Sequence, residues 1–163
     1  MPKTSSGLLM YKLKDSKLYF FIVHPGGPFW KGKDKGAWSI SKGEIDDRNY
    51  SHEAMLENAR RELKEEVGVD APMEEEKYIY LGEITQKSGK VVHAWAFEGD
   101  FLLLQCTSFA EIEWPPKSGK KIKFPEVDKA GFFMEKEAME KINPAQIPFV
   151  DRLKNYLKEA NKI

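Results

Sequence analysis

The chain has 163 residues with 26 basic and 26 acidic side chains and 41% hydrophobic residues, enough to bury the core of one domain. Its balanced charge excludes the global electrostatic pull of a nucleic-acid or membrane-surface binder, so any phosphate recognition has to be local. The lone Cys106 excludes an internal disulfide, three scattered histidines lack zinc-ligand spacing, and no apolar run reaches membrane-spanning length; the expectation is a cytoplasmic protein without signal peptide.

Gly7 to Leu13 and Leu18 to His24 read as strands, because apolar and aromatic runs flank the turn-forming Lys14-Asp15-Ser16-Lys17. Pro25-Gly26-Gly27-Pro28 breaks the pattern, and a basic loop through Lys31, Lys33 and Lys35 leads to a short strand at Ala37 to Ile40 that delivers Gly43. The stretch from Gly27 to Asp34 comes close to a phosphate-binding P-loop. Asp34 replaces the hydroxyl residue such a loop needs, and a strand rather than a helix follows. Ser51 is the predicted N-cap of a helix over His52 to Val67, and Gly68 is its stop.

Tyr78 to Thr85 and Val91 to Glu98 alternate as antiparallel strands around Lys87-Ser88-Gly89-Lys90, and Phe101 to Leu104 extends the sheet or forms another edge. Trp114 to Lys121 holds too many breakers for a regular element and reads as a candidate binding loop. A strand at Ala130 to Met134, a short helix at Glu135 to Lys141 and a longer one at Pro144 to Ala160 complete the chain. In the last helix Ile147, Val150, Leu153 and Leu157 recur at helical spacing. Mixed strands with helices between and after them predict one layered α/β domain over residues 1–163.

The helix from His52 carries the chemistry. At about 100° per residue, Glu62, Glu65 and Glu66 fall in one arc, beside an apolar stripe of Leu56, Ala59, Leu63 and Val67. Like charges three and four residues apart repel by a few tenths of a kcal/mol per pair, roughly, and a hard divalent cation turns that cost into a site. An acidic helix face alone is more often merely solvated.

The run Arg61-Glu62-Leu63-Lys64-Glu65-Glu66-Val67-Gly68-Val69, with Glu53 ahead of it, resembles the signature of the Nudix hydrolases. That signature is glycine, five residues, glutamate, seven residues, then Arg-Glu-aliphatic-x-Glu-Glu-x-Gly-aliphatic. Every specified position from Glu53 to Val69 matches. An ungapped count back from Glu53 lands on Asp47, whereas the matching glycine is Gly43, so the intervening loop is longer than the family pattern.

The resemblance implies an α+β fold, an α/β/α sandwich around a mixed, mostly antiparallel sheet. It implies hydrolysis of a pyrophosphate linkage with Mg²⁺, or Mn²⁺ in its place, held by Glu62, Glu65, Glu66 and the Gly43 carbonyl. In the family, Glu53 and Arg61 form a structural ion pair, which makes Arg61 an organiser within the catalytic motif. The water-activating base is a box glutamate or one from a later loop; Glu126 is the later-loop candidate, with Glu111 and Glu113 as competitors. Lys42 is a candidate for phosphate, and Trp30, Trp38 and Trp114 for base stacking, although a lysine here can be plain surface and strand tryptophans mostly pack. Cys106 reads as a small hydrophobe.

Trp38-Ser39-Ile40-Ser41-Lys42-Gly43 is similar to the Trp-x-x-Pro-Lys-Gly run of dinucleoside polyphosphate hydrolases, with Ser41 where proline is usual. The expected partner is therefore a small nucleotide, a dinucleoside polyphosphate or nucleoside triphosphate, and not a membrane or nucleic acid. No oligomeric state is implied. The alternative is a Nudix-fold module that binds a nucleotide without turnover.

Overall fold

A computed structural model describes residues 3–45 and 50–163. The chain opens with β1 (Thr4–Lys14) and β2 (Lys17–Pro25), paired antiparallel through Lys14 and Lys17. Asp15 and Ser16 between them both take positive φ, 53° and 62°, the two-residue geometry whose twist matches a hairpin. Next come β3 (Ser41–Glu44), α1 (His52–Val67), β4 (Ile79–Thr85) and β5 (Val91–Glu98). A hairpin of β6 (Phe109–Glu113) and β7 (Lys121–Pro125) follows, then β8 (Val127–Met134), α2 (Glu135–Lys141) and α3 (Ile147–Glu159).

The main sheet runs β4-β5-β1-β2-β8, with β3 also on β1. Among the described strands of this sheet only β1 and β5 pair in parallel, so the sheet is mixed and mostly antiparallel, as the resemblance implies. Both faces are covered. Leu8, Met10, Phe21 and Trp95 pack under Met55, Ala59, Leu63 and Val67 of α1. Leu9, Phe20, Ile22 and Ala94 pack under Ala138 of α2 and Phe149, Val150 and Leu153 of α3. Covering on both faces explains the unbroken apolar run Leu8-Leu9-Met10 in β1, where a half-exposed strand would alternate.

Three sequence expectations are corrected, and the breaker-rich stretch is irregular as expected over residues 114–120. Ala37 to Ile40 is not a strand: its backbone divides between Val23 on β2 and residues 141–143 after α2, leaving two isolated bridges. Gly43 accordingly lies inside β3, opposite Ser6 of β1, rather than after a strand. Phe101 to Leu104 joins no sheet; the segment crosses the C-terminal end of α1, where Gln105 N–H donates to the Val67 carbonyl and Thr107 N–H to the Glu65 carbonyl. The breaker-rich stretch is the tip of the β6–β7 hairpin, which pairs Glu111 with Lys123 and Glu113 with Lys121.

Helix α1 begins and ends where expected. Ser51 Oγ accepts from Ala54 N–H, and Gly68 takes the left-handed conformation at φ 85°. Residues 46–49, in the lengthened loop that includes Asp47, lie outside the described residues. Among the described residues no helix is long and apolar enough to cross a membrane.

Candidate active site

Helix α1 and strand β3 make the site together. Ser41 and Gly43 of β3 face the helix, and the fit is close enough that side-chain size matters. A Cβ built on Gly43 would lie 2.1 Å from Glu62 Cδ, so only glycine lets the strand approach this carboxylate. Asn58 Nδ2 donates to the Gly43 carbonyl at 3.1 Å and to Ser6 Oγ at 3.0 Å, and Ser6 Oγ donates in turn to the Met55 carbonyl. These bonds clamp β1, β3 and α1 together behind the acids.

Glu66 is 6% exposed, and its carboxylate accepts from Ser41 Oγ at 3.0 Å. Burial pushes its pKa up to about 8, against the Ser41 bond, with Glu62 and Glu126 adding repulsion. Ser41, which replaces the usual proline, thus supplies a hydroxyl to the most deeply buried acid. Glu62 is also raised, chiefly by burial and further by Glu65 and Glu126, against the opposing charge of Arg61.

A cleft of about 430 Å³ opens beside Glu62 and Gly43. Glu62, Glu65 and Glu126 line it together with Lys42, Lys90 and Gly43. Glu126 and Glu66 meet in an adjoining recess that Lys42 also lines. The later-loop carboxylate is thus brought to the helix acids across a sequence gap of sixty residues. Its competitors are elsewhere: Glu111 and Glu113 lie exposed on β6, and Glu113 accepts from Lys117 N–H and Gly119 N–H at the hairpin tip. On the cationic bank, Lys42 has its pKa lowered by burial and by neighbouring Lys90, which itself pairs with Glu44 at 3.1 Å.

The Glu53–Arg61 ion pair is a correction. Arg61 donates from Nη1 to both Glu65 carboxylate oxygens at 3.0 Å, and from Nη2 to Glu62 at 3.0 Å and Asn58 at 2.8 Å. Among the described residues it has no ion pair with Glu53, which lies exposed two turns toward the helix N-terminus, whereas Glu65 is one turn away on the same face. An acid in the first turn of a helix is favoured there by the macrodipole without any partner.

The base-stacking candidates are corrected too. Trp38 is 5% exposed on the far face of the sheet, where its indole Nε1 donates to Asp34 at 2.8 Å. Trp30 is half-buried, edge-on to Phe29 and packed against the same core. Neither lines the acidic cleft, because the residues before β3 cross to the face that α2 covers. Trp114 belongs to the hairpin tip. Cys106 is half-buried beside the α1 core, its Sγ 3.2 Å from the Ser108 carbonyl.

The donor chemistry fits a hard cation: carboxylate oxygens of Glu62 and Glu66, both raised above the usual carboxylate range chiefly by burial, beside a glycine that leaves room for them. Among the described residues no three acidic, histidine or cysteine side chains converge on one point. Glu65 is turned onto Arg61 instead. Ser41, Asn58 and Lys90 were not among the sequence candidates. Asn58 had a signal, lying one turn before Glu62 on the same helix face. Lys90 had none, since it reaches the cleft only through pairing of β5 with β1.

No protein-family model and no curated protein sequence matches the chain. Solved structures do. An Ap4A hydrolase of C. elegans in a binary complex superposes with a TM-score of 0.65 at 16% identity, covering 96% of this chain and 98% of that one. The NUDIX domain of Shewanella oneidensis NrtR, complexed with ADP ribose, gives a TM-score of 0.64 at 12% identity over 96% and 89% of the two chains. A MutT protein from Methanosarcina mazei gives 0.56 at 15% identity over 96% of each. With its mixed sheet between α1 and the α2–α3 pair, this chain has the Nudix fold.

Proposed function

We propose that the chain is a Mg²⁺-dependent pyrophosphohydrolase that cleaves a nucleoside diphosphate linked to another group, with dinucleoside polyphosphates and nucleoside triphosphates as the first substrate classes. The observation that carries this reading is Glu66, a carboxylate buried to 6% exposure in a recess that it shares with Glu126 and Lys42, beside the cleft lined by Glu62, Glu65 and Lys90. Burying an acid among acids is costly, and the cost is offset when a cation joins them.

Glu62, Glu65 and Glu66 would hold the ion, with the Gly43 carbonyl beside them. Bound there, it would neutralise phosphate oxygens and make a water more acidic. Lys42 and Lys90 draw the phosphate chain to the cleft and take part of the charge that develops on it. Glu126, across from the helix acids, accepts the proton of the attacking water. Water oxygen bonds to phosphorus, the bridging P–O bond breaks, and the two phosphate products leave. Arg61 orients Glu65 and Glu62. The Ap4A hydrolase among the similar structures supports dinucleoside polyphosphates, and ADP ribose in another supports a nucleoside diphosphate as the recognised unit.

A second reading, nucleotide binding without turnover, is favoured by the engagement of Arg61 with two of the three acids. One experiment separates them. The protein is incubated with Mg²⁺ and a panel of nucleoside triphosphates, dinucleoside polyphosphates, nucleotide sugars and dinucleotides, and the products are resolved. Turnover of one class, falling roughly 100-fold or more in Glu66→Gln, is the expected result. Tight nucleotide binding with no product in the wild-type protein would replace it with the binding module.

A further inference from the structure

We infer that His24 is held in the fold as the doubly protonated imidazolium, and that its pair with Asp128 positions Glu126; the positioning role rests on the proposed function, the protonation does not. His24 is 2% exposed near the end of β2. Its Nε2 is 2.6 Å from the Lys33 carbonyl oxygen, which has only lone pairs to offer, so Nε2–H must donate. Its Nδ1 is 2.7 Å from Asp128 Oδ1. A neutral imidazole has one N–H, already given to Lys33, and would turn a lone pair onto a carboxylate oxygen. Two acceptors do not hold such a distance, so a proton lies between them.

That proton belongs to the ring. Imidazole is the stronger base by about 2–3 pKa units in water, and the Asp128 side chain, 35% exposed, keeps solvent on its carboxylate. The other charges around the ring are of both signs, so the Asp128 carboxylate is the group in direct contact that favours the cation. Asp34 of the basic loop interacts with it, while the Asp34 carboxylate also pairs with Lys141 at 3.0 Å. Lys129 is opposite His24 in the β8 register, and the Lys33 ammonium sits 3.6 Å from the centre of the Phe29 ring. Trp38 meets the imidazole edge-on at 5.4 Å.

The link to Glu126 is through the backbone. The β2–β8 ladder runs in register as far as His24 opposite Lys129 and then slips to Pro25 opposite Val127, so Asp128 is the extra residue of a bulge aimed at His24. Immediately before it, the Glu126 carbonyl accepts from Gly26 N–H at 2.9 Å, and Glu126 N–H donates to the Ser108 carbonyl at 3.0 Å. A Cβ on Gly26 would lie 2.0 Å from the Pro125 carbonyl oxygen, so the two backbones touch with no side chain between. One imidazolium therefore ties together the end of β2, the basic loop and the bulge adjoining Glu126. The Glu126 side chain is left to face the helix acids.

Long-range ¹⁵N–¹H spectra of histidine-labelled wild-type protein at pH 7 test the protonation directly. Both ring nitrogens of His24 are expected to carry protons; a single Nε2–H tautomer overturns the inference. Asp128→Asn offers an amide N–H to Nδ1, which satisfies a neutral ring, so the variant is expected to lose one proton while remaining folded. It should then show kcat about tenfold lower with KM nearly unchanged, and displaced backbone amide and ¹³Cδ resonances of Glu126 at pH 7. A variant that loses the proton yet keeps both the wild-type kcat and the wild-type Glu126 resonances overturns the positioning role. If the wild-type protein turns over nothing in the substrate panel, the functional reading fails, and the ring and Glu126 spectra still decide this one.

Discussion

Single residues decide what the cleft can tolerate. Gly43 admits the Glu62 carboxylate at a distance no Cβ permits, so Gly43→Ala should displace Glu62 and lower turnover about tenfold or more, with a stability cost under about 1 kcal/mol because the flexible Glu62 side chain can swing away. A rate assay with a thermal melt checks both. Glu66 gives a pH signature with a definite sign. Its folded pKa, near 8, is above the unfolded value of 4.5, so between those values the folded state holds more protons and its stability falls as pH rises. In chelator-treated protein, Glu66→Gln should therefore raise the melting temperature at pH 8 by several degrees and change it little at pH 4.5. Added Mg²⁺ should reverse the order at pH 8, stabilising the wild type and not the variant. A stabilising effect equal at both pH values would contradict a buried, uncompensated carboxylate. The roles of Ser41 and Arg61 were not legible from the residues alone, because hydroxyl and guanidinium partners depend on which carboxylate is nearest in space.

Among the elements, α1 is the most completely specified by its own sequence. Cap, apolar stripe, acidic arc and glycine stop all lie within one continuous segment, and each obeys helical spacing. Its C-terminal end adds a tertiary lock, since a Cβ on Gly68 would come within 2.7 Å of Gln105 Cβ in the segment that bonds the last helix carbonyls. Gly68→Ala is thus expected to cost about 1–3 kcal/mol in a denaturant titration, combining positive φ with that close contact. A cost below a few tenths would mean the 105–107 segment does not brace the helix. Strands β6 and β7 lie at the opposite extreme. Each is five residues long and pairs only with the other, and the short alternation in Ala110-Glu111-Ile112-Glu113 and Lys121-Ile122-Lys123-Phe124 is too brief a signal beside the breakers between them.

At the scale of the whole molecule, the sheet separates chemistry from support. The α1 face carries the acids, and the α2–α3 face buries Trp38, Phe149 and Leu153. Trp38→Ala should accordingly lower stability by about 3–5 kcal/mol while leaving KM for any accepted nucleotide close to wild type, measured by unfolding and by steady-state kinetics. A large rise in KM with stability intact would return the indole to the binding site. The sequence by itself determined the helix and its acids, the hairpin of β1 and β2, the strands β4 and β5 and the closing helices, because each rests on periodicity or capping within a short stretch of chain. Tertiary structure alone decided that Gly43 sits in an edge strand against Glu62, that Arg61 turns to Glu65 rather than Glu53, that Trp38 faces away from the cleft, and that Lys90 faces into it. Those outcomes depend on which strands become neighbours and on which face each residue then occupies, and strand pairing between distant segments leaves no mark in the local spacing of residues.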